Sequence, residues 1–420
     1  MSTTPRPRQF RFVFAILFLF ASMGVAVGQH EGGVTGGGMI GGSTSRPSNK
    51  PPATTGTVKK RPPATSTTAK KPGATTTGTT TSSSGTTKPS NSGSSRPNTG
   101  GANSADYYYQ QGEALYNAKK YREALDPYIK ATELNPSMVG AFYRLGWIYN
   151  DLEDYESSIE PLQRATSLQS NNSAAHFELG YAYKKLERYN EALASFQQCI
   201  RAKPDYAAAH YEIGWIYNDL KNYDAATRSL KLAMAYRDNY PDAHNEMGYA
   251  LRNLGRNDEA VQEYQEAIRL KPDMGLAHLG LADVYYYNLK QYQNAASAYA
   301  EGLRLRPGNA TALYNLGWCY NDLERYADAV TELRKAVAVK ADYAEAYNEM
   351  GYALHQLNRY GEAVQAYQMA IRNKANYASA HYNLGMSFIA LRNRNGALEQ
   401  YRILQRIDTA RATKLFNQIK

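Results

Sequence analysis

Three tryptophans are the whole tryptophan complement of this 420-residue chain, and all three sit in one local pattern. Trp147, Trp215 and Trp318 each follow a tyrosine by four residues (Tyr143, Tyr211, Tyr314) and precede an asparagine by three (Asn150, Asn218, Asn321). Residues three and four apart share one face of a helix, so each pattern groups two rings and an amide. Such a set has no nucleophile, general base or metal ligand. It suits recognition instead, with rings burying an extended ligand and amides pairing with its peptide or hydroxyl groups.

Groups that do support covalent or metal chemistry are sparse. Cys199 and Cys319 lie far apart inside helical patterns, and no C-x-x-C pair exists for zinc or redox work. Both read as small core residues. The chain carries no G-x-S-x-G, P-loop, H-E-x-x-H or dinucleotide fingerprint. Glu153 and Glu156 read as solvated helix surface. The expectation is a non-enzyme without cofactor or metal.

The elements that must position the rings are set by a repeat. Glycine recurs every 34 residues at Gly112, Gly146, Gly180, Gly214 and Gly248, then again at Gly317, Gly351 and Gly385. With that glycine as position 8, nine units span 105–138, 139–172, 173–206, 207–240, 241–274, 275–309, 310–343, 344–377 and 378–411. Position 20 is alanine in every unit except the second, which has Ser158. Position 11 is large and apolar throughout, from Leu115 and Tyr149 to Leu354 and Phe388. Position 32 is proline in four units: Pro136, Pro204, Pro272 and Pro307. The sixth unit departs from the pattern, with Ala282 in place of the glycine and one extra residue between Tyr285 and Tyr292.

This pattern resembles the tetratricopeptide repeat family, though the family's usual tryptophan at position 4 is absent. The spacing has a physical reason. Positions 4, 7, 8 and 11 share a face of a first helix, positions 20, 24 and 27 share a face of a second, and proline stops the second helix. One hairpin cannot bury its own apolar face, so units stack on their neighbours. The resemblance implies an all-α, right-handed superhelical solenoid of about nine helix-turn-helix repeats. A capping helix over 408–420, started by Asp408 or Thr409, is expected to cover the open end with Leu415, Phe416 and Ile419.

On a wheel of about 100° per residue, positions 5, 9 and 12 face away from the hairpin core. In the family this stripe lines the concave groove, and the resemblance implies the same here. Besides the tryptophan patterns it holds Phe177, Tyr181, Asn245, Tyr249, Asn348, Tyr352 and Tyr382. Two readings stand: the rings stiffen the stack against the next unit, or they bind an extended partner. The Lys-Asn-Asn-Lys-Arg clamp that one subfamily uses for a C-terminal carboxylate is missing, since the matching positions hold Tyr109, Glu113, Arg144, Ala174 and Glu178. His176, His210, His244, His278 and His381 all fall at position 4. Helices packed about 8–10 Å apart keep such residues from sharing one metal ion.

The first quarter of the chain differs in composition. Residues 1–104 carry twelve Lys or Arg and a single acid, Glu31, whereas the remainder is close to neutral. The net charge of +10 therefore belongs to the N-terminal part, and nucleic-acid binding by the repeats is not expected. Arg6, Arg8 and Arg11 precede an apolar run from Phe12 to Val27 and small residues at Ala26 and Gly28, which reads as a signal peptide over 1–28. An uncleaved membrane anchor is the alternative. Between residues 41 and 100, 43 of 60 positions are Gly, Ser, Thr or Pro, too few apolar groups to offset the entropy of ordering. Residues 29–104 are accordingly expected to be a disordered basic tail. A short motif recurs in it: Lys50-Pro51-Pro52-Ala53-Thr54, Arg61-Pro62-Pro63-Ala64-Thr65 and Lys71-Pro72-Gly73-Ala74-Thr75. The tail reads as a stalk or as a polycation resting on an anionic envelope polymer.

Taken together, the sequence points to a protein-binding scaffold outside the cytoplasm that takes a protein or extended peptide in its groove. Two other classes stay open at this stage: a module gripping an envelope glycan, and a self-associating structural spacer.

Overall fold

A computed structural model describes residues 103–419; the expected signal peptide over 1–28 and nearly all of the expected tail over 29–104 lie outside the described residues. Helical hairpins follow one another in chain order. The first four are α1 (Ala105–Asn117) with α2 (Tyr121–Leu134), α3 (Val139–Asp151) with α4 (Tyr155–Leu168), α5 (Ser173–Lys185) with α6 (Tyr189–Ala202), and α7 (Ala207–Asp219) with α8 (Tyr223–Tyr236). The fifth is α9 (Pro241–Asn253) with α10 (Asn257–Leu270), and the sixth is α11 (Gly275–Asp283) with α12 (Tyr292–Leu305). Three more follow: α13 (Ala310–Asp322) with α14 (Tyr326–Val339), α15 (Ala344–Gln356) with α16 (Tyr360–Asn373), and α17 (Ala378–Ala390) with α18 (Arg394–Ile407). A final helix, α19 (Thr409–Ile419), packs on the last pair. The described residues form an all-α solenoid of helix-turn-helix units.

Close approach within each hairpin depends on position 8. A Cβ on Gly146 would lie 2.2 Å from Leu162 Cγ, and one on Gly214 would lie 2.6 Å from Leu230 Cγ. Position 20 is the matching small residue, and its alanines are fully buried in all eight units that have one. The second helices stop two residues before Pro136, Pro204, Pro272 and Pro307 and at the same position in units without proline, as at Leu168 and Val339, so proline reinforces a stop that the stack already sets. Each hairpin turn then reverses the chain through one left-handed residue. Only the fifth unit uses glycine there, Gly255; elsewhere Lys119, Glu153, Glu187, Lys221, Lys290, Glu324, Asn358 and Arg392 take φ between 57° and 62°.

The extra residue of the sixth unit has a definite place. The chain winds into a π-helical turn over Val284–Asn288 directly after α11, the usual way an α-helix absorbs an insertion. At the far end, α19 begins on Asp408, whose Oδ1 accepts from Arg411 N at 2.9 Å. Leu415 and Ile419 are buried, and Leu415 Cδ2 lies 2.5 Å from where a Cβ on Gly385 would be. Phe416 stacks on Tyr401 with centroids 4.9 Å apart.

Candidate functional site: the wall of first helices

The asparagines at position 12 do not stand free. Asn150 Nδ2 donates to both the backbone carbonyl and Oε2 of Glu178 at 3.0 Å. Asn218 does the same to Glu246 at 3.0 and 2.9 Å, and Asn321 to Glu349 at 3.3 and 3.4 Å. Each partner lies 28 residues on, at position 6 of the next unit. The same step recurs with other chemistry. Arg144 lies 4.1 Å over the Tyr116 ring, and Lys184 pairs with Glu212. Tyr287 OH donates to Asn315 Oδ1 at 2.9 Å, again 28 residues apart, so the π-turn restores the register that the inserted residue breaks. At the fifth junction Gly280 occupies position 6, and Arg252 reaches Asp283 at 2.8 Å instead. Asp283 also accepts from Tyr299 OH at 2.5 Å.

Position 9 forms a second ladder, directed backward. Trp147 meets Tyr121 edge-on with centroids 5.3 Å apart, Tyr181 meets Tyr155 at 6.2 Å, and Trp215 meets Tyr189 at 6.4 Å. Tyr249 with Tyr223 at 6.0 Å and Tyr352 with Tyr326 at 6.1 Å continue the series. Every partner is the first residue of the preceding unit's second helix. Trp318 packs instead on Tyr286 of the π-turn at 5.8 Å and on Tyr314 at 5.6 Å. Position 5 points forward: Phe177 stacks on Tyr206 at 5.1 Å, while Tyr211 packs tilted against Tyr240 and Tyr314 against Tyr343, both at 5.0 Å.

The residues singled out by sequence therefore fall into two groups. Asn150, Asn218, Asn245, Asn321, Asn348, Phe177 and Trp147 are buried, Trp147 with 7% of its surface exposed. Tyr143, Tyr181, Tyr211, Trp215, Tyr249, Tyr314, Trp318, Tyr352 and Tyr382 are half-buried. The amide hydrogens of Asn150, Asn218 and Asn321 are used within the stack, while their Oδ1 atoms, with that of Asn245, are buried without a partner. Sequence reasoning missed the partners, namely the position-6 glutamates and the tyrosines opening each second helix. Their signal was a 28-residue Asn-to-Glu interval and a tyrosine at position 17. The position-4 histidines are absorbed structurally: ring nitrogens of His176, His210, His278 and His381 lie 2.8–3.1 Å from the carbonyl six residues upstream.

Charge is not spread evenly. The nine first helices α1, α3, α5, α7, α9, α11, α13, α15 and α17 hold twelve Asp or Glu against four cations, Arg144, Lys184, Lys185 and Arg252. In the tryptophan units the acid follows four residues after the indole, as Asp151, Asp219 and Asp322, so ring and carboxylate share a helix face. A cation beside Trp215 is held by a different acid, three residues before the indole. The Lys184 ammonium lies 4.1 Å from the centroid of Trp215 while it pairs with Glu212, a cation–π contact closed by a carboxylate. Burial pushes the Glu246 and Glu349 carboxyls up to about 7, against the opposing amide bonds from Asn218 and from Asn348 and Asn321. Burial also raises Asp283, with Arg252 opposing.

The stacked helix-turn-helix units define the class of protein as a helical-repeat solenoid, and the family comparisons agree with that class. Repeat models described as TPR repeat match residues 146–187, 248–288, 319–358 and 351–391, and models described as tetratricopeptide repeat match 105–138, 177–244 and 279–338. Together they cover more than half of the sequence, and the chain belongs to the tetratricopeptide repeat family, whose members are typically non-enzymatic protein-interaction scaffolds. Among solved structures it is similar to YrrB, described as a TPR protein with an unusual peptide-binding site, at 23% identity, covering 46% of this chain and all of that one, with a TM-score of 0.43. It is also similar to pilF of Pseudomonas aeruginosa (18% identity, 50% of this chain, 97% of that chain, TM-score 0.43). A TPR repeat-containing protein of Cytophaga hutchinsonii matches at 16% identity over 66% of this chain and 99% of its own, with a TM-score of 0.44. No curated protein matches the sequence significantly. Among the described residues no helix is long and apolar enough to cross a membrane.

Proposed function

We propose that the chain is an extracytoplasmic adaptor that holds an extended segment of another protein along the wall of its first helices. The observation that carries this reading is the half-buried position-9 ring of units three, four, five, seven and eight, namely Tyr181, Trp215, Tyr249, Trp318 and Tyr352, with Asp283 at that position in the sixth. Each ring packs against a neighbouring tyrosine and is only partly buried, so an entering ligand meets side chains already held in place. Preorganised aromatic anchors of this kind supply much of the affinity of extended ligands. Placement outside the cytoplasm is supported by the basic and apolar run ending near Val27.

Selection of a displayed peptide library on the full chain tests the proposal. Binders are expected to lose at least tenfold in affinity for a Trp215→Ala, Trp318→Ala variant whose helical signal and melting are near those of the parent. Equal binding by parent and variant removes the wall from the function. A glycan array that binds where the peptide library fails transfers the function to a carbohydrate ligand.

A further inference from the structure

We infer that the junction of the fifth and sixth units is the selectivity point of the wall, a niche around Asn245 and Tyr264 that takes a carboxamide side chain, Asn or Gln, of the extended segment. This deepens the reading proposed above, since it rests on the wall being a binding surface.

The unused amide of Asn245 is the first argument. Asn245 lies on α9 with 4% of its surface exposed, and among the described residues its amide makes no hydrogen bond. The other wall asparagines are all engaged: Asn150, Asn218 and Asn321 donate to glutamates, and Asn348 bonds to Glu349 and Asn383. Native folds rarely keep a buried polar group unmatched, because its lost hydration goes uncompensated.

Register explains why Asn245 differs. At the eighth junction Asn348 Oδ1 accepts from Asn383 Nδ2 at 3.2 Å, a step of 35 residues. The same step from Asn245 reaches Gly280, which has no side chain to answer it. Tyr264 uses the room that this glycine leaves: a Cβ on Gly280 would lie 2.5 Å from its Cε1 and 2.8 Å from its hydroxyl oxygen. The counterparts of Tyr264 in the first and sixth units, Tyr128 and Tyr299, donate to Glu113 and Asp283. The fifth unit holds Tyr249 at the position of those acids, and the Tyr264 hydroxyl makes no hydrogen bond among the described residues. Burial raises the Tyr264 phenol, which keeps it a neutral donor.

These two groups define what fits. An asparagine amide can present a donor or an acceptor, and a phenol donates. A carboxamide carries both an N–H donor and a carbonyl acceptor, so it answers Asn245 as Asn383 answers Asn348 and accepts from Tyr264. Tyr264 is 2% exposed, so a narrow side chain reaches the pair where a main chain with its flanking groups cannot. A carboxylate fits poorly. Asp283 and Glu246 both lie within electrostatic range of Tyr264, and the neighbouring cation, Arg252, is already paired with Asp283 at 2.8 Å.

The test selects a displayed random-peptide library on the full chain, then measures the selected segments as synthetic peptides on the parent and on full-length Asn245→Leu and Tyr264→Phe. The sixth unit carries Leu279 at the position of Asn245, so leucine suits the stack, and Asn245→Leu is expected to melt no lower than the parent. Selected segments are expected to hold Asn or Gln at one fixed register. Replacing that residue by Ala is expected to cost about tenfold in affinity on the parent and under about twofold on Asn245→Leu. Tyr264→Phe removes a single hydroxyl and reads the same coupling, with an expected cost of about threefold for the Ala replacement, and it decides the matter should Asn245→Leu unfold. Absence of the carboxamide, or an equal loss on parent and variants, overturns the inference. Segments that still require Trp215 and Trp318 in that event leave the adaptor reading standing. If no segment binds the wall, both fall.

Discussion

Asn218 binds Glu246 twice, through the carbonyl at 3.0 Å and the carboxylate at 2.9 Å, and in doing so ties the fourth hairpin to the fifth. Asn150 with Glu178 and Asn321 with Glu349 repeat the arrangement. In a solenoid each unit is stabilised mainly by its neighbours, so these side chains act on cooperativity as well as on local geometry.

Asn218→Ala leaves the buried Glu246 without its amide donor. The expected loss is about 1–3 kcal/mol. Because the junction itself weakens, urea unfolding should also broaden as the units on either side uncouple, giving a smaller apparent m value. A sharp transition shifted in parallel would place the effect inside one hairpin instead.

The same glutamates make stability depend on pH. Glu246 and Glu349 have carboxyl values of about 7 in the fold against an ordinary 4.5. A carboxyl raised on folding favours the folded state fully below about pH 4.5, and that contribution is lost as pH rises through 7. Thermal melts should therefore fall between pH 5 and pH 8 by the equivalent of roughly 2 kcal/mol per group. Glu246→Gln keeps an acceptor without the charge, so it should flatten the dependence. A parent protein more stable at pH 8 than at pH 5 would show that other groups dominate.

Asp283 sits at the head of the π-turn, paired with Arg252 and Tyr299. Asp283→Ala strands the Arg252 guanidinium in a largely buried setting, at an expected cost of about 3–5 kcal/mol. Asp283→Asn should recover part of that, since it still accepts from Tyr299. Chemical denaturation of both variants checks the order.

Backbone positions give two opposed predictions. Gly146→Ala places a methyl 2.2 Å from Leu162 Cγ and should destabilise by about 1–3 kcal/mol. Glu153→Gly acts at a residue held at φ 62° and should stabilise by about 0.5–1 kcal/mol, because glycine takes the left-handed region without strain. Differential scanning calorimetry separates the two signs.

The fold was legible because one unit recurs nine times, with glycine at 8 and alanine at 20 in eight units each marking a close approach, and proline at 32 in four marking a stop. The sixth unit's extra residue was visible as a count, but its resolution as a π-turn that brings Tyr287 back to a 28-residue step was not. The wall was legible only in part. A helical wheel shows that positions 5, 9 and 12 leave the hairpin core, yet it cannot say that position 5 meets the last residue of its own unit, position 9 the previous unit, and position 12 a glutamate 28 residues on. Contacts between units are set by stacking, which no single helix encodes.

The three indoles are the only ones in the chain, and all lie on the proposed wall. Their fluorescence, followed while a library-selected segment is titrated into the full chain, is the most direct measurement of the central claim. A saturable shift in emission that tracks binding by calorimetry, and that is lost in Trp215→Ala, Trp318→Ala, is the predicted result. Calorimetric saturation with unchanged emission would place the ligand elsewhere on the molecule and contradict the account.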